Sequence, residues 1–354
     1  RKSLRRALNA GLKDIYKELG IDRHEVYEAM VVANSTMRDL FFDIDVESIG
    51  EMPYKSLTEH AMLRGEADST WVAKRAYELG ILIHPQARVV GAPLIASHVG
   101  GDVAADLVAT DFGSAPGASL LIDIGTNTEI VATDGERFVA ASSPAGPAFE
   151  GGMLRYGMAG ADGAIEAVHI NDDVFVYQVI GDFEPEGICG SGLVDILAEL
   201  RRVGWMSPEG RFSDGGTEFA IAPTMGITFS RADASQLAQA MASNASGQRI
   251  LLRKLGLDAG DVDPVYRAGG FANAIDIANA IDIGFLAQVN PENVERVGNS
   301  ALRGAAMLLL SRRRREALSD IIGRIEHIEL ETEPDFFELF VDGCLFHPIP
   351  NSAA

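Results

Sequence analysis

The chain has 354 residues, 47% hydrophobic and 23% charged, with a formal net charge of −21. That length favours two domains or one two-lobed unit with a substantial core. The acidity argues against nucleic acid or an anionic membrane surface as a partner, because both require clustered Lys and Arg. Two cysteines, Cys189 and Cys344, can supply neither a disulfide framework nor the four thiolates of an ordinary ferredoxin cluster. No apolar run approaches the ~20 residues that span a bilayer. No signal peptide opens the chain, so a cytoplasmic protein is expected.

In chain order, Leu4, Leu8, Leu12, Ile15 and Leu19 recur at helical spacing. The chain begins without Met, inside that helix, which reads either as a trimmed start or as a longer protein that has lost its N-terminal part. Residues 28–34 read as a buried strand, followed by a helix start at Asn34-Ser35-Thr36-Met37. A helix is predicted over 66–82. Residues 87–113 read as strand, Gly-rich turn and helix, and the small residues of 113–119 mark the best lobe boundary. Two strand-like stretches, 119–133 and 137–143, flank an Asp-Gly turn. Helices are predicted after Gly190, across 230–257 and as one segment across 298–325. A strand, turn and helix occupy 263–286, and the chain ends in a short strand, a loop and a helical turn.

The chemistry concentrates in residues 120–131, LLIDIGTNTEIV. An apolar strand delivers Asp123, then Gly125, then Thr126, Asn127 and Thr128. Without a Cβ at Gly125, backbone N–H groups can approach phosphate oxygens, and the hydroxyl and amide side chains can add hydrogen bonds. Asp123 can hold Mg²⁺ through water, because Mg²⁺ dehydrates reluctantly. The plain alternative is an ordinary hairpin turn. Downstream come Gly146, Glu150, Gly151 and Gly152 in SPAGPAFEGG. Glu150 reads as a Mg²⁺ or ribose contact, or merely as a carboxylate at a helix start. Gly190, Ser191 and Gly192 open a helix, suited to an anion or simply to close strand–helix packing. Gly269, Gly270, Phe271 and Asn273 follow a strand in RAGGFAN, where paired glycines let backbone lie against a flat nucleoside. Asp102, at a strand-to-helix turn, reads as a helix N-cap. Cys189 reads as a small buried residue. Arg312 to Arg315 read as a solvated helix face or a docking patch for an acidic partner.

The order IDIGTNTEI, AGPAFEG, GICGSGL, AGGFAN, GNSALRGA resembles the superfamily of actin, hexokinases, acetate kinase and heat-shock chaperones. Within it, nearly the whole chain is similar to the reductive activators of corrinoid proteins. The resemblance implies an α/β two-lobed actin-like (ribonuclease H-like) ATPase fold. It implies a partial first lobe over 1–115, a second lobe over 116–290, and a return helix and tail over 291–354 that pack on the first lobe. Asp123 to Thr128 would be the second-lobe phosphate motif, and Gly269 to Asn273 the adenosine motif. By the same resemblance to hexokinase-like proteins, Asp102 would be a base that positions the attacking water or a metal-bound water. ATP and Mg²⁺ are the implied ligands, and a corrinoid-binding protein of a methyltransferase system is the implied partner. In that family ATP drives an uphill electron transfer from an N-terminal plant-ferredoxin-like 2Fe-2S domain. Neither the cluster cysteines nor the first-lobe Asp-x-Gly-Thr hairpin is in this chain, so a fragment beginning inside the first lobe is expected. A small-molecule kinase of the same superfamily and a nucleotide-dependent binding switch with little turnover stay open, as does homodimerisation.

Overall fold

The computed structural model describes residues 2–269 and 274–350. It divides into two compact units: Arg1–Phe112 with Asn299–His327, and Gly113–Gly298 with Ile328–Ala354. The tail expected from 291 onward as one return segment is thereby divided. Only 299–327 groups with the first unit.

The first unit begins with α1 (Lys2–Leu19), then β1 (Glu28–Val31), α2 (Ser35–Phe41), α3 (Leu57–Leu63), β2 (Val72–Arg75), α4 (Ala76–Leu79), β3 (Arg88–Gly91) and α5 (Gly101–Ala109). Its sheet runs β1-β3-β2, with β1 parallel and β2 antiparallel to β3. The helix predicted over 66–82 is therefore wrong at its centre. Val72 to Arg75 pair with β3, and only the four residues after them are helical. Cross-strand pairing overrides local helical propensity there. Leu4, Leu12 and Tyr16 of α1 pack against a cluster built on Phe41, Phe42, Leu79 and Val89.

Arg38 of α2 is wholly buried, and its guanidinium is saturated. Nε and Nη2 donate to Asp39 Oδ1 at 2.9 and 2.7 Å, Nη1 to the Thr70 and Ala92 carbonyls, and Nη2 to Thr58 Oγ1. Ser56 Oγ donates to the other Asp39 oxygen at 2.6 Å. A buried ion pair holds its place only when such additional bonds satisfy it.

The second unit carries β4 (Ser119–Ile124), β5 (Thr128–Thr133), β6 (Phe138–Ser143), β7 (Ala164–Asn171), β8 (Val174–Val179), β9 (Gly187–Ile188), α6 (Gly190–Arg202), β10 (Glu218–Ala222), β11 (Ile227–Ser230), α7 (Arg231–Leu255), β12 (Val265–Ala268), α8 (Ile277–Asp282) and β13 (Val294–Gly298). Within the unit, the large sheet runs β13-β12-β4-β5-β6. Its apolar residues Leu120, Ile122, Ile124, Ile130 and Val265 join α6 and α7 in one core. The pairing of β4 with β12 is parallel, and that of β4 with β5 antiparallel. The stretch 119–133 is therefore two strands joined by a turn at 125–127.

β7 and β8 form a hairpin, with β9 on the other side of β7. Beyond the reach of β9, the Val168 and Ile170 N–H groups donate to Asp195 and Glu199 of α6, at 3.1 and 2.6 Å. These side chains, four residues apart, lie on one helix face and replace a missing neighbour strand. Burial, opposed by the Asn279 and Val168 donors, raises the Asp195 pKa.

Two helices, α9 (Ser300–Leu310) and α10 (Arg312–Ile322), follow where one was predicted. Ser311 turns extended, at φ −139°, and its hydroxyl caps α10. Arg315 then reaches back to the Leu308 and Leu309 carbonyls and to Glu28. Much of the Arg run is thus committed within the first unit, Arg314 pairing with Asp111 at 2.9 Å. The last helix, α11 (Phe336–Gly343), packs on α7.

α9 lies on α5 at Gly304, where a Cβ would stand 1.9 Å from the Ala105 carbonyl oxygen. Gly304→Ala must push the two backbones apart. We expect it to destabilise the first unit by about 2–3 kcal/mol, the upper part of the range for overpacking. Urea unfolding followed by Trp71 fluorescence checks this.

Candidate functional site

A cleft of about 580 Å³ opens in the second unit. It is lined by Asp123 and Gly125 from β4 and its turn, Glu150, Gly190 and Ser191 at the start of α6, and Gly269 after β12. Four separate sequence motifs thus reach one place. The cause is topological. β4 and β12 run parallel with Asp123 opposite Ala268, so both strands release their chain at the same edge. Ligands of α/β sheets bind outside such carboxyl ends.

The strand ends touch closely. Gly269 has φ +97°, and a Cβ there would lie 2.3 Å from the Ile124 carbonyl oxygen and 3.1 Å from Asp123 Oδ1. Only glycine adopts that backbone at no cost and leaves the Asp123 carboxylate its room. Gly125 differs. A Cβ there would meet nothing closer than 3.5 Å, so the chain itself does not demand a glycine. A Cβ would fit there in ordinary contact with the Asn127 carbonyl and Glu150, and Gly125 lines the cleft.

At the turn, the Gly125 N–H is taken by the Asn127 carbonyl at 3.0 Å. The Thr126 and Asn127 N–H groups have no acceptor among the described residues, and both residues are exposed. Among the described residues, the amides of this turn left without an acceptor are therefore those of 126 and 127 rather than that of Gly125. Thr126 Oγ1 donates to Glu150 Oε2 at 2.5 Å, which ties the turn to the 144–152 loop. Gly146 N–H donates to the Thr126 carbonyl at 2.8 Å and reinforces that tie.

Other expected residues stand apart from the cleft. Thr128 is buried in β5 opposite Ile124 and Ser143. Gly151, with φ +87°, and Gly192 serve close packing. A Cβ would meet Met158 N at 2.4 Å from the first and the Ile165 carbonyl at 2.5 Å from the second. Cys189, by contrast, does line the cleft, though it is buried, with Sγ 3.4 Å from the Ile165 carbonyl. Gly270, Phe271 and Asn273 lie outside the described residues.

Sequence reasoning missed Ala159, Gly160 and Ile180, which complete the cleft wall. Small residues in AGADG were the only signal. It also missed Arg267, buried beneath the Gly269 turn. Its Nη1 donates to the Ile275 carbonyl at 3.2 Å, while Nε and Nη2 have no partner among the described residues. Burial, and then repulsion from Arg296, pushes its pKa down to about 10.

Asp102 belongs to the first unit. It is not the helix cap, since Gly100 holds that position and Asp102 lies in the first turn of α5. A Cβ at Gly100 would strike Asn34 Cα and Asp102 Oδ1, both at 2.6 Å. The Asp102 carboxylate accepts the Val103 N–H at 2.9 Å. Burial raises its pKa above the ordinary 3.8, against the Val103 and Asp102 N–H groups that lower it.

Metal ligation offers little beyond Asp123 and Glu150. Among the described residues no group of three or more His, Cys, Asp or Glu could hold an ion.

A family model for the C-terminal, ASKHA domain of RACo matches residues 117–352, and one for the RACo middle region matches 1–115. The chain belongs to the RACo family. Its fold is accordingly the α/β fold of actin, sugar kinases and heat-shock chaperones, in a branch related to corrinoid-protein activation. The corrinoid activation enzyme RamQ of Eubacterium limosum is 30% identical, over 95% of this chain and 58% of RamQ. A Co(II) methylated amine-specific corrinoid protein reductase of Methanosarcina barkeri is 23% identical, over 93% and 64%. Among solved structures, a reductive activator for a corrinoid, iron–sulfur protein superposes with a TM-score of 0.85 at 32% identity, covering 98% of this chain and 57% of that one. The chain thus spans about three fifths of the length of these relatives.

Two outcomes test the local chemistry. Because the folded Asp102 pKa is raised, its charged form costs stability above the ordinary carboxylate range. The stability of the neutral form is complete below 3.8 and lost as pH rises through the raised value. Asp102→Asn should therefore raise the urea midpoint at pH 7, with the gain shrinking as pH falls toward 3.8. Gly269→Ala should cost about 2 kcal/mol or more, from left-handed strain and overpacking together. A second-unit probe such as Trp205 fluorescence reads that loss.

Proposed function

We propose that this chain is the ATP-handling part of a reductive activator of a corrinoid protein. One observation carries the reading. Asp123, Gly125, Glu150, Gly190, Ser191 and Gly269, drawn from separate motifs, line a single cleft at the carboxyl ends of two parallel strands. The strand-end carboxylate, the free turn amides and the room at Gly125 together suit a metal-bound polyphosphate.

In this reading the Thr126 and Asn127 amides hold phosphate oxygens, and Asp123 holds Mg²⁺ through water. Gly269 and Ala274 form the wall toward the nucleoside. Gly190 and Ser191 offer the N–H groups of a 13-residue helix to negative charge. Glu150 fixes the turn through Thr126. Asp102, whose burial raises its proton affinity, is assigned the task of orienting the attacking water. Bound Mg·ATP supplies the free energy for closing the fold and changing its affinity for a corrinoid-binding partner. The electron comes from a 2Fe-2S centre carried outside these 354 residues. The free thiols Cys189 and Cys344 suit a reducing, cytoplasmic setting. Among the described residues no helix is long and apolar enough to cross a membrane.

Isothermal titration with Mg·ATP tests the assignment. In a chain that includes a first-lobe phosphate hairpin, Asp123→Ala should weaken Mg·ATP binding at least about 100-fold, the scale of losing a charge-assisted contact of ~3 kcal/mol. Asp102→Asn should leave binding intact and lower turnover by about 100-fold, as expected of a general base. Near-normal turnover in the Asp123 variant removes the site assignment.

A further inference from the structure

The β7–β8 hairpin has two edges, and the fold treats them differently. In an antiparallel pair, residues directly opposite either bond to each other or both turn away. Val168 and Ile170 turn away from β8, because their N–H groups go to Asp195 and Glu199. Their opposite residues are Tyr177 and Phe175. The N–H and C=O groups of these two therefore face outward, where no described residue bonds them. One edge of the hairpin is capped by helix carboxylates, whereas the other is bare.

Bare edges are normally blunted by Lys, Pro or a bulge. β8 carries none of these on its own chain, being Val-Phe-Val-Tyr-Gln-Val with no charge. Val174 and Val176 are 61% and 51% exposed beside it, and Phe183 59%. The charge stands at the two ends. Asp172 and Asp173 form the turn before the strand, and Asp182, Glu184 and Glu186 follow it. No Lys or Arg occurs from 172 to 186.

We propose that the β8 edge docks an extended segment of a protein partner that has an apolar centre and basic residues at both ends. The outward amides and carbonyls of Phe175 and Tyr177 supply the main-chain ladder. Val174 and Val176 lie beside the segment's apolar side chains, and the acidic ends pair with its Lys or Arg. A second copy of this chain fits poorly. Antiparallel self-pairing sets Asp172 and Asp173 of one copy against Asp182 to Glu186 of the other.

The test uses the whole chain and a labelled peptide, Lys-Lys-Val-Thr-Val-Thr-Val-Lys-Lys, followed by anisotropy. A peptide with Glu at every Lys is the comparison. The Lys peptide should bind at least about tenfold tighter, with the gap narrowing as salt screens the ends. Hydrogen exchange at the Phe175 and Tyr177 amides should slow on binding. Tyr177→Pro, which removes an outward N–H and spares the ladder to β7, should weaken binding about tenfold. N-methylation of the peptide amides that face β8 should abolish it, and this arm does not depend on the variant folding. Equal binding of the two peptides, or indifference to N-methylation, overturns the proposal. So does a concentration-dependent dimer of the chain that Tyr177→Pro dissolves, because the occupant is then a second copy.

Discussion

The parallel pairing of β4 with β12 is the contact on which the candidate site depends. It sets the Asp123 carboxylate 3.1 Å from where a Cβ on residue 269 would stand and lets both strands end at one edge. The remaining walls are secured to this point. Glu150 is held through Thr126, the 144–152 loop through Gly146, and the start of α6 through the close fit of Gly192 on Ile165. Without the backbone approach that Gly269 allows, Asp123 would sit under a side chain rather than at the mouth of a cleft.

Much of this was legible in the residues. A strand ending in Asp-x-Gly and a second strand ending in Gly-Gly mark their positions by composition, because backbone crowding leaves few residue types suitable. What composition could not reveal was which way individual groups face. Thr128 looks identical to Thr126 in sequence. Strand register, set by pairing with β4 and β6, buries one and exposes the other. Asp102 looks like a cap, yet the close approach of Gly100 to Asn34 starts the helix two residues earlier.

The misread elements share a cause. Val72 to Arg75 make a strand only because β3 lies beside them, a partner distant in sequence. The break between α9 and α10 occurs at Ser311 with no Gly or Pro to announce it, and Arg315 stabilises it by bonding carbonyls of the helix before. Long-range pairing and side-chain reach decided both, and periodicity reports neither. Arg267 belongs here too. Nothing in RAGGFAN says that the arginine goes inward.

The saturated Arg38–Asp39 pair carries a consequence for how this chain can change over generations. Replacing Arg38 alone strands Asp39 and Ser56 in the interior, and replacing Asp39 alone strands the guanidinium. Either single step costs about 3–5 kcal/mol, whereas exchanging the pair together for apolar residues of similar volume can be neutral. The two arrangements are both habitable but separated by a deep stability valley. Drift by one substitution at a time is therefore confined to one side of it, and the first unit inherits its polar heart as a single block.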